Sequence, residues 1–174
     1  MKILINGCAG RMGLTLVRLI DADPAFDLHG GLEVPEHADM SADLGTLAGR
    51  PENGKPVRAD ALELISGADA VIDFSTPTAT LEMAGLCAQA RIVHIIGTTG
   101  FSAEDEAALA AAARHATLVK SGNMSLGVNL LGALVRQAAA ALGEDWDIEI
   151  LDMHHRHKVD APSGTALLLG AEAA

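Results

Sequence analysis

The fold is decided by the first stretch of the chain, Lys2-Ile3-Leu4-Ile5-Asn6-Gly7-Cys8-Ala9-Gly10-Arg11-Met12-Gly13-Leu14. A short apolar run predicts a buried strand over residues 2–6, and apolar residues at helical spacing predict a helix over residues 14–22. The turn between them holds Gly7 and Gly10, which let the backbone approach a pyrophosphate, and Gly13, which lets the helix pack tightly on the strand. The N–H groups at the start of the helix would face the phosphates. The stretch therefore predicts a dinucleotide-binding turn, although glycine-rich turns of this kind also occur without a ligand.

An acidic residue follows the second predicted strand, Asp27–Leu32, at the place where dinucleotide-binding domains hold a ribose. Glu33 lies about 20 residues after Gly13, and its carboxylate can accept hydrogen bonds from the hydroxyls of an adenosine ribose. The next residue is Val34 rather than a lysine or arginine. Because a 2′-phosphate beside an acid requires a neighbouring cation, this pair favours NADH over NADPH. Arg11 suits either the pyrophosphate or a 2′-phosphate, so NADPH stays open as the alternative.

Short apolar runs alternate with helical patterns along the first two thirds of the chain. Further predicted strands cover residues 70–74, 92–96 and 117–119, and further predicted helices cover residues 78–90 and 103–113. This alternation predicts an α/β fold, a Rossmann-type doubly wound parallel sheet with helices on both faces. Residues 35–56 hold three of the six prolines and show little periodicity, so we expect a long loop with at most fragments of regular structure.

The composition argues against several classes of protein. The formal net charge of -11 opposes binding to nucleic acid or to an anionic membrane. Two cysteines are too few for a disulfide framework or a zinc site. No segment has the roughly 20 consecutive apolar residues of a membrane helix, and the strand pattern directly after Met1 leaves no room for a signal peptide. We therefore expect a soluble cytoplasmic protein.

The pattern changes after residue 123. Residues 125–142 predict one long apolar helix that ends near Gly143, residues 147–154 alternate in the manner of a strand, and a last helix begins near Pro162 and Ser163. The chain stops at Ala174 without a helix cap or a return strand, which suggests a cut rather than a natural terminus. We therefore expect a dinucleotide-binding domain over residues 1–123 and a partial, incomplete α+β substrate and oligomerisation domain over residues 124–174.

A basic cluster stands out in this acidic chain, the segment HHRHKVDAPSGTA at residues 154–166. Its histidines are possible metal ligands, but Arg156 and Lys158 would repel a divalent cation. A solvated basic turn is the second interpretation. The third is an anion-binding catalytic loop, because Pro162 and Ser163 start a helix whose free N–H groups can take a carboxylate. A histidine and a lysine beside it can supply protons. We favour the third interpretation and expect no metal site.

Five motifs together carry a resemblance to a known family. They are GCAGRMG at 7–13, DFSTP at 73–77, GTTGF at 97–101, SGNMSLGVN at 121–129 and HHRHKVDAPSGTA at 154–166. In this order and spacing, the chain resembles the 4-hydroxy-tetrahydrodipicolinate reductase (dihydrodipicolinate reductase) family of lysine and diaminopimelate biosynthesis. Residues 97–100 and 121–124 also follow predicted strands, so they are expected at the carboxyl edge of the sheet, where open parallel sheets bind ligands.

The resemblance implies the chemistry and the residues that perform it. Hydride would pass from the nicotinamide of NADH or NADPH to a small anionic dicarboxylate, a dihydropyridine, and a proton would follow. It implies His154 as the acid/base and Lys158 as the proton donor. Substrate contacts would come from His155, Ser163, Gly164, Thr165 and Thr99. Cofactor contacts would come from Gly7, Cys8, Ala9, Gly10, Arg11, Met12, Glu33, Gly97, Thr98, Thr99, Ser121, Gly122, Asn123 and Met124.

Two other functions are consistent with the nucleotide-binding turn. A different dehydrogenase, acting on another amino-acid-derived substrate, would leave the segment 154–166 unexplained. A non-catalytic dinucleotide-binding module would bind the cofactor without turnover. The resemblance also implies a homotetramer and a longer chain. Because a lone strand leaves backbone groups unpaired and an apolar face uncovered, we expect this chain to be poorly active and prone to associate.

Overall fold

The first apolar run becomes the central strand of a six-stranded sheet. The computed structural model describes residues 1–154, 156 and 161–174. The strands are β1 (Lys2–Asn6), β2 (Asp27–Leu32), β3 (Val57–Arg58), β4 (Ala70–Asp73), β5 (Val93–Ile96) and β6 (Leu118–Lys120). The helices are α1 (Arg11–Ala22), α2 (Leu44–Leu47), α3 (Ala61–Ile65), α4 (Pro77–Ala90), α5 (Ala103–Ala112), α6 (Leu126–Leu142) and α7 (Gly164–Ala173).

The described chain divides into two compact units. Residues Met1–Lys120 form the first, here called the sheet unit, and residues Ser121–Ala174 form the second, here called the helical unit. All six strands lie in the sheet unit, whereas the helical unit contains α6 and α7. No helix among the described residues is both long enough and apolar enough to cross a membrane.

The sheet has the order β3-β2-β1-β4-β5-β6, and every pair of neighbours is parallel. The prediction of a Rossmann-type parallel sheet is therefore confirmed. The order reverses between β1 and β4, and such a switch point creates a crevice at the carboxyl ends of the strands. The loops after β1, β4 and β5 all meet at this edge.

Helices cover both faces of the sheet because successive strand residues point to opposite sides. Ile3 and Ile5 pack with Val17 of α1 in one buried cluster. Leu4 lies between them in sequence and packs with Met83 of α4 in another. Aromatic side chains are few, so these cores are built from aliphatic residues that interdigitate across short distances.

The segment at residues 35–56 is an ordered loop with one short helix, in agreement with the expectation of fragments. Asp43 holds it together, because its carboxylate accepts hydrogen bonds from the N–H groups of Thr46 at 2.9 Å and Gly54 at 2.8 Å. Burial would raise the pKa of Asp43, but these backbone hydrogen bonds outweigh it and hold the pKa below its ordinary value. The sequence patterns had not identified the following β3 and α3, which are only a few residues long.

Most predicted boundaries agree with the structure to within one residue, and α1 is the exception. It begins at Arg11 rather than at residue 14. The turn after β1 is correspondingly short, and Gly13 lies inside the first turn of the helix. Arg11 and Met12 are good helix formers, so the helix extends back to Gly10, which caps it.

The helical unit lacks the strand that the sequence predicts over residues 147–154. Residues 147–154 form no strand, so the prediction of a strand there is wrong. A strand requires a neighbour that pairs with its backbone groups, and the other elements described in this unit are helices. The helix predictions are confirmed: Ser125 precedes α6, Gly143 ends it, and Ser163 caps α7.

Candidate active site

The turn after β1 is built so that no side chain occupies the space beside it. Gly7 has a φ of +76°, and a Cβ atom there would lie 2.6 Å from the carbonyl oxygen of Phe74. A Cβ atom on Gly13 would lie 2.3 Å from the carbonyl oxygen of Gly7. Both contacts are far below van der Waals distance, so only glycine fits at either position. The turn itself is anchored by the N–H groups of Gly7 and Cys8, which donate to Leu32 O at 3.0 and 3.1 Å.

The start of α1 fits a phosphate group. Gly10 is the N-cap, and among the described residues no side chain caps this end of the helix. The N–H groups of Arg11 and Met12 therefore point outward together with the positive end of the helix dipole. A pyrophosphate can accept hydrogen bonds from these groups, as the sequence predicts.

Cys8 takes part in this site only through its backbone. Its side chain is completely buried in the cluster that contains Ile5 and Val17. Burial, together with the nearby charge of Glu33, raises the pKa of the thiol to about 12. The thiol is therefore uncharged at neutral pH, and a side-chain contact of Cys8 with a cofactor is not part of this arrangement.

Glu33 lies against the turn at one end of the crevice. Its Oε1 atom accepts a hydrogen bond from the N–H of Ala9 at 3.1 Å. A groove of about 310 Å³ begins here, and it is lined by Glu33, Val34, Ser75, Glu82 and further residues of β1, α3 and α4. Val34 is exposed beside the carboxylate. The groove has the size expected for a site that binds the adenosine end of a dinucleotide, and Glu33 is the acidic residue expected there.

A second groove runs along the other side of the turn. It is lined by Gly10, Arg11, Met12, Phe74, Ser75, Gly97, Thr98 and Thr99. The fold thus brings residues 10–12 of one predicted set and residues 97–99 of another to one surface. Phe74 packs directly against the backbone of Gly97, since a Cβ atom on Gly97 would lie 2.2 Å from the Phe74 ring. Phe74 and Ser75 belong to the motif at residues 73–77, but no sequence pattern predicts a role for either of them in the site.

Beneath this groove lies a buried polar network that the sequence analysis also missed. Asp73 and His94 are both completely buried, and the Oδ2 atom of Asp73 lies 3.1 Å from the Nε2 atom of His94. The available signal was the presence of two titratable residues inside runs that otherwise predict buried strands. Polar groups in such positions require partners, and those partners lie elsewhere in the sequence.

In the helical unit, the predicted acid/base residue His154 lies next to a carboxylate. His154 Nε2 lies 2.7 Å from Asp152 Oδ1. Ser163 is buried at the N-terminus of α7, where its hydroxyl accepts a hydrogen bond from the N–H of Ala166 at 3.0 Å. A hydrogen bond with Ser163, and the neighbouring His154, hold the pKa of Asp152 below its ordinary value. These residues line a cavity of about 560 Å³, together with Ile150, Leu151, Ala161, Pro162, Ala166 and Leu167.

The segment at residues 121–124 meets the start of the same helix. Asn123 Nδ2 donates a hydrogen bond to Thr165 Oγ1 at 2.9 Å. A Cβ atom on Gly122 would lie 3.3 Å from the carbonyl oxygen of Gly164, so the two backbones pass close together. Met124 is exposed nearby in the chain. Residues predicted to bind cofactor and residues predicted to bind substrate are therefore neighbours within this unit.

Two predicted residues lie outside the part of the chain that the structure describes. They are the substrate contact His155 and the proton donor Lys158. Among the described residues, no group of three or more His, Cys, Asp or Glu side chains is arranged to hold a metal ion.

Comparisons with known proteins assign the chain to a family. A family model described as the N-terminus of dihydrodipicolinate reductase matches residues 1–124, and one described as its C-terminus matches residues 127–174. The chain belongs to the dihydrodipicolinate reductase family. Members of this family include the 4-hydroxy-tetrahydrodipicolinate reductases of Parvibaculum lavamentivorans, 65% identical, and of Sinorhizobium fredii, 58% identical. Each match covers 100% of this chain, which spans 65% and 64% of the length of these relatives.

Solved structures support the same assignment. Dipicolinate-bound dihydrodipicolinate reductase from Paenisporosarcina sp. TG-14 is similar with a TM-score of 0.75 and 29% identity, over 100% of this chain and 65% of that chain. An amine dehydrogenase from Mycobacterium smegmatis is similar with a TM-score of 0.54 and 23% identity, over 70% of this chain and 39% of that chain. The second likeness concerns the fold alone. The family resemblance predicted from five motifs is confirmed.

Proposed function

We propose that this chain carries out the NADH-dependent reduction of 4-hydroxy-tetrahydrodipicolinate to tetrahydrodipicolinate, a step of lysine and diaminopimelate biosynthesis. The observation that carries the proposal is the joining of two features on one chain. The sheet unit has a turn and helix start that fit a pyrophosphate, and the helical unit has an acid/base histidine beside a helix N-terminus. A relative of similar structure is bound to dipicolinate, which is a dicarboxylate.

The sheet unit would hold the cofactor. A bound reduced nicotinamide supplies the hydride. Gly7 and Gly13 keep the turn free of side chains, the N–H groups at the start of α1 bind the phosphates, and Glu33 accepts hydrogen bonds from the adenosine ribose. The groove lined by Gly97, Thr98 and Thr99 would take the nicotinamide half.

The preference for NADH rests on the charges around the ribose. Glu33 and Glu82 line the first groove, and none of its described lining residues is a lysine or arginine. A 2′-phosphate placed there would face two carboxylates without a cation to offset them. We expect Val34→Arg to raise the affinity for NADPH by about tenfold, because a guanidinium forms charge-assisted hydrogen bonds with a phosphate.

Calorimetric titration of both cofactors into the wild type, Val34→Arg and the uncharged control Val34→Gln measures this preference. Val34→Gln should leave the ratio of the two affinities as it is in the wild type. Equal affinity of the wild type for NADH and NADPH would contradict the proposed preference.

The helical unit would bind the substrate and move the proton. Ser163, Gly164 and Thr165 stand at the start of α7, where the N–H groups of Gly164 and Thr165 can attract a carboxylate and Ser163 also bonds Asp152. Asp152, ionised at neutral pH, orients the ring of His154 through Nε2, so we infer that the ring exchanges its proton with the substrate through Nδ1. By family resemblance, His155 and Thr99 would help to hold the substrate and Lys158 would donate the proton.

Assembly and location complete the proposal. We infer a homo-oligomer, a tetramer by family resemblance, in the cytoplasm. The support for association is the large apolar surface of the helical unit, where Leu126 is 85% exposed and Leu151 86% exposed. Sedimentation velocity over a range of concentrations tests it, and a monomer at every concentration would contradict it.

Turnover with freshly generated substrate tests the catalytic assignment. We expect His154→Ala and Lys158→Ala to lower kcat by about a hundredfold or more, because each removes a proton-transfer group. NADH affinity should stay close to that of the wild type. The matched control is His115→Ala, which removes an exposed histidine from the sheet unit.

Three outcomes separate the alternatives. Wild-type turnover in both catalytic variants would show that the assignment of His154 and Lys158 is wrong. A protein that binds NADH but neither turns over nor binds pyridine-2,6-dicarboxylate is a dinucleotide-binding module. A protein that binds the dicarboxylate but reduces another substrate faster is a different dehydrogenase.

A further inference from the structure

A network of polar side chains is buried between the neighbouring strands β1, β4 and β5. Asn6 ends β1, Asp73 ends β4, and His94 lies within β5. All three side chains are buried, and Asp73 and His94 are completely so. The strands around them are otherwise aliphatic, so this network is not required to fill the core.

Asp73 is the centre of the network, because both of its oxygens accept hydrogen bonds. Oδ1 accepts from the hydroxyl of Ser75 at 2.6 Å, from the N–H of Ser75 at 3.1 Å and from the hydroxyl of Thr98 at 3.3 Å. Oδ2 accepts from Asn6 Nδ2 at 3.1 Å and faces His94 Nε2 at 3.1 Å. Burial would raise the pKa of Asp73, but the hydrogen bonds from His94, Ser75 and Asn6 outweigh it and hold the pKa below its ordinary value. The carboxylate is therefore ionised and fully occupied as an acceptor.

The side chain of His94 supplies one of these donors and makes no other hydrogen bond among the described residues. Its Nδ1 atom is buried and has no hydrogen-bond partner among the described residues. Asp73 Oδ2 can only accept, so the hydrogen-bond pattern assigns a ring proton to Nε2. His94 thus acts as a donor to Asp73.

The network reaches the groove through two residues. Ser75 and Thr98 both line the groove that adjoins Arg11 and Met12. The N–H of Ser75 donates to Thr98 Oγ1 at 3.1 Å, and Thr80 Oγ1 donates to the same atom at 3.0 Å. The loop after β4 and the loop after β5 are therefore tied to each other, and each is tied to Asp73. Neither Asp73 nor His94 lines the groove itself.

A buried ionic group rarely makes a fold more stable than apolar residues of the same volume, so its value lies in fixing one geometry. Here the geometry that is fixed is that of the two loops. In a doubly wound sheet the dinucleotide lies across the switch point between β1 and β4. With Glu33 on the β2 side at the adenosine ribose, the loops after β4 and β5 lie on the nicotinamide side.

We propose that Asp73 and His94 are positioning residues, which hold the loops after β4 and β5 in the arrangement that receives the nicotinamide half of the cofactor. This inference rests on the proposed dinucleotide function. The adenosine ribose is assigned to Glu33, which makes no hydrogen bond with Asp73 or His94 among the described contacts, although Ser75 lines both grooves. The two halves of the cofactor should therefore respond differently to changes at Asp73 and His94.

NADH and ADP-ribose, which lacks the nicotinamide, are the two probes, each titrated calorimetrically into the whole chain. We expect Asp73→Asn to weaken NADH binding by about tenfold, because an amide N–H₂ group would face the donors of Asn6 and His94. The affinity for ADP-ribose should change by less than about twofold. The matched control is Asp69→Asn, at the opposite end of β4, where the exposed carboxylate accepts only from Lys2 N at 2.7 Å among the described contacts. It should leave both affinities unchanged.

A second pair of variants keeps the test decisive if Asp73→Asn does not fold. His94→Leu removes the donor to Asp73, and His94→Gln restores it through a carboxamide N–H. We expect His94→Leu to weaken NADH binding selectively and His94→Gln to recover most of the wild-type affinity. A general loss of structure would instead lower the melting temperature and both affinities in parallel.

The outcomes distinguish this inference from the proposed function. Equal loss of NADH and ADP-ribose affinity, or unchanged NADH affinity in folded Asp73→Asn and His94→Leu, would overturn the positioning role and leave the cofactor assignment intact. A wild-type chain that binds neither probe would overturn both. Selective loss of NADH affinity with rescue by His94→Gln would establish the positioning role.

Discussion

The sheet unit and the helical unit bury their apolar residues in different ways. In the sheet unit, strands lie between two layers of helices, and Leu4, Ile5 and Val71 are completely buried. In the helical unit, α6 and α7 pack on each other, and Leu126, Leu151 and Met153 are each more than 80% exposed. A sheet offers two faces that helices can cover, whereas two helices can cover only one stripe of each other.

This difference has a consequence for the candidate site. In the sheet unit, several loops converge at one edge, and a buried network ties two of them together. In the helical unit, the site is organised by one helix start, Ser163, and one ion pair, Asp152 with His154. We therefore expect substitutions in the sheet unit to change stability and cofactor binding together, and substitutions in the helical unit to change them less.

The largest expected effect compares one leucine from each unit. Leu4→Ala should lower the free energy of unfolding by about 2–5 kcal/mol, because it leaves a cavity between the sheet and α4. At a protein concentration low enough to keep the chain monomeric, Leu126→Ala should change it by less than about 0.5 kcal/mol, since its side chain is 85% exposed. Denaturant unfolding followed by circular dichroism measures both. Equal losses would mean that the exposed leucine of α6 is covered in solution, as in an oligomer.

A smaller effect compares two helical glycines. Gly13→Ala would place a methyl group 2.3 Å from Gly7 O and 2.5 Å from Cys8 O, and neither backbone atom can move freely. We expect a loss of stability of about 1–3 kcal/mol and at least about a tenfold loss of NADH affinity, since the turn proposed to hold the phosphates must shift.

The matched variant is Gly132→Ala in α6. There the new methyl group would meet the Leu168 side chain at 3.2 Å and the Glu172 side chain at 3.4 Å. Side chains of this kind can adjust, and alanine favours a helix by about 1 kcal/mol over glycine, so we expect little net change. Calorimetric titration with NADH and thermal unfolding compare the two variants. Unchanged NADH affinity in Gly13→Ala would contradict the role given to the turn.

The smallest effect compares two serines that precede helices. Ser102 forms a capping box with Asp105 at the start of α5, where its hydroxyl accepts from Asp105 N at 3.2 Å. Ser125 precedes α6 and makes no side-chain capping hydrogen bond. Ser102→Ala should therefore cost about 1 kcal/mol and Ser125→Ala nearly nothing, as measured by denaturant unfolding. A similar cost for Ser125→Ala would indicate that its hydroxyl caps α6 in solution.

Much of the sheet unit could be predicted from local patterns. Apolar runs bounded by Gly, Asp and Asn predict the strands β1, β4, β5 and β6, because buried parallel strands are largely apolar. The strand β2 is also predicted, although Asp27, His29 and two glycines interrupt its apolar residues. The glycine-rich turn at residues 7–13 could be predicted because close approach of backbones excludes every other residue type. The segments β3 and α3 escaped prediction, since elements of a few residues have too little periodicity to be recognised.

Other features depend on contacts between distant residues. The alternation at residues 147–154 predicts a strand, yet a strand exists only when another segment pairs with it, and none of the described residues of the helical unit does so. The partnership of Asp73 with His94 and Asn6 joins three separate strands, so no local pattern announces it. The contact between Asn123 and Thr165 likewise joins residues that lie 42 positions apart in the sequence.

By itself, the sequence determined the parallel sheet, the nucleotide-binding turn and the family, because each of these depends on residue types at short spacings. Only the tertiary structure decided that Cys8 turns its thiol into the core, that Phe74 lies against Gly97, and that Asp73 binds two loops together. The physical reason is that burial and hydrogen-bond partners are properties of the packed chain. The turn at residues 7–13 is specified locally, whereas the groove beside it is assembled from loops that meet only when the sheet has formed.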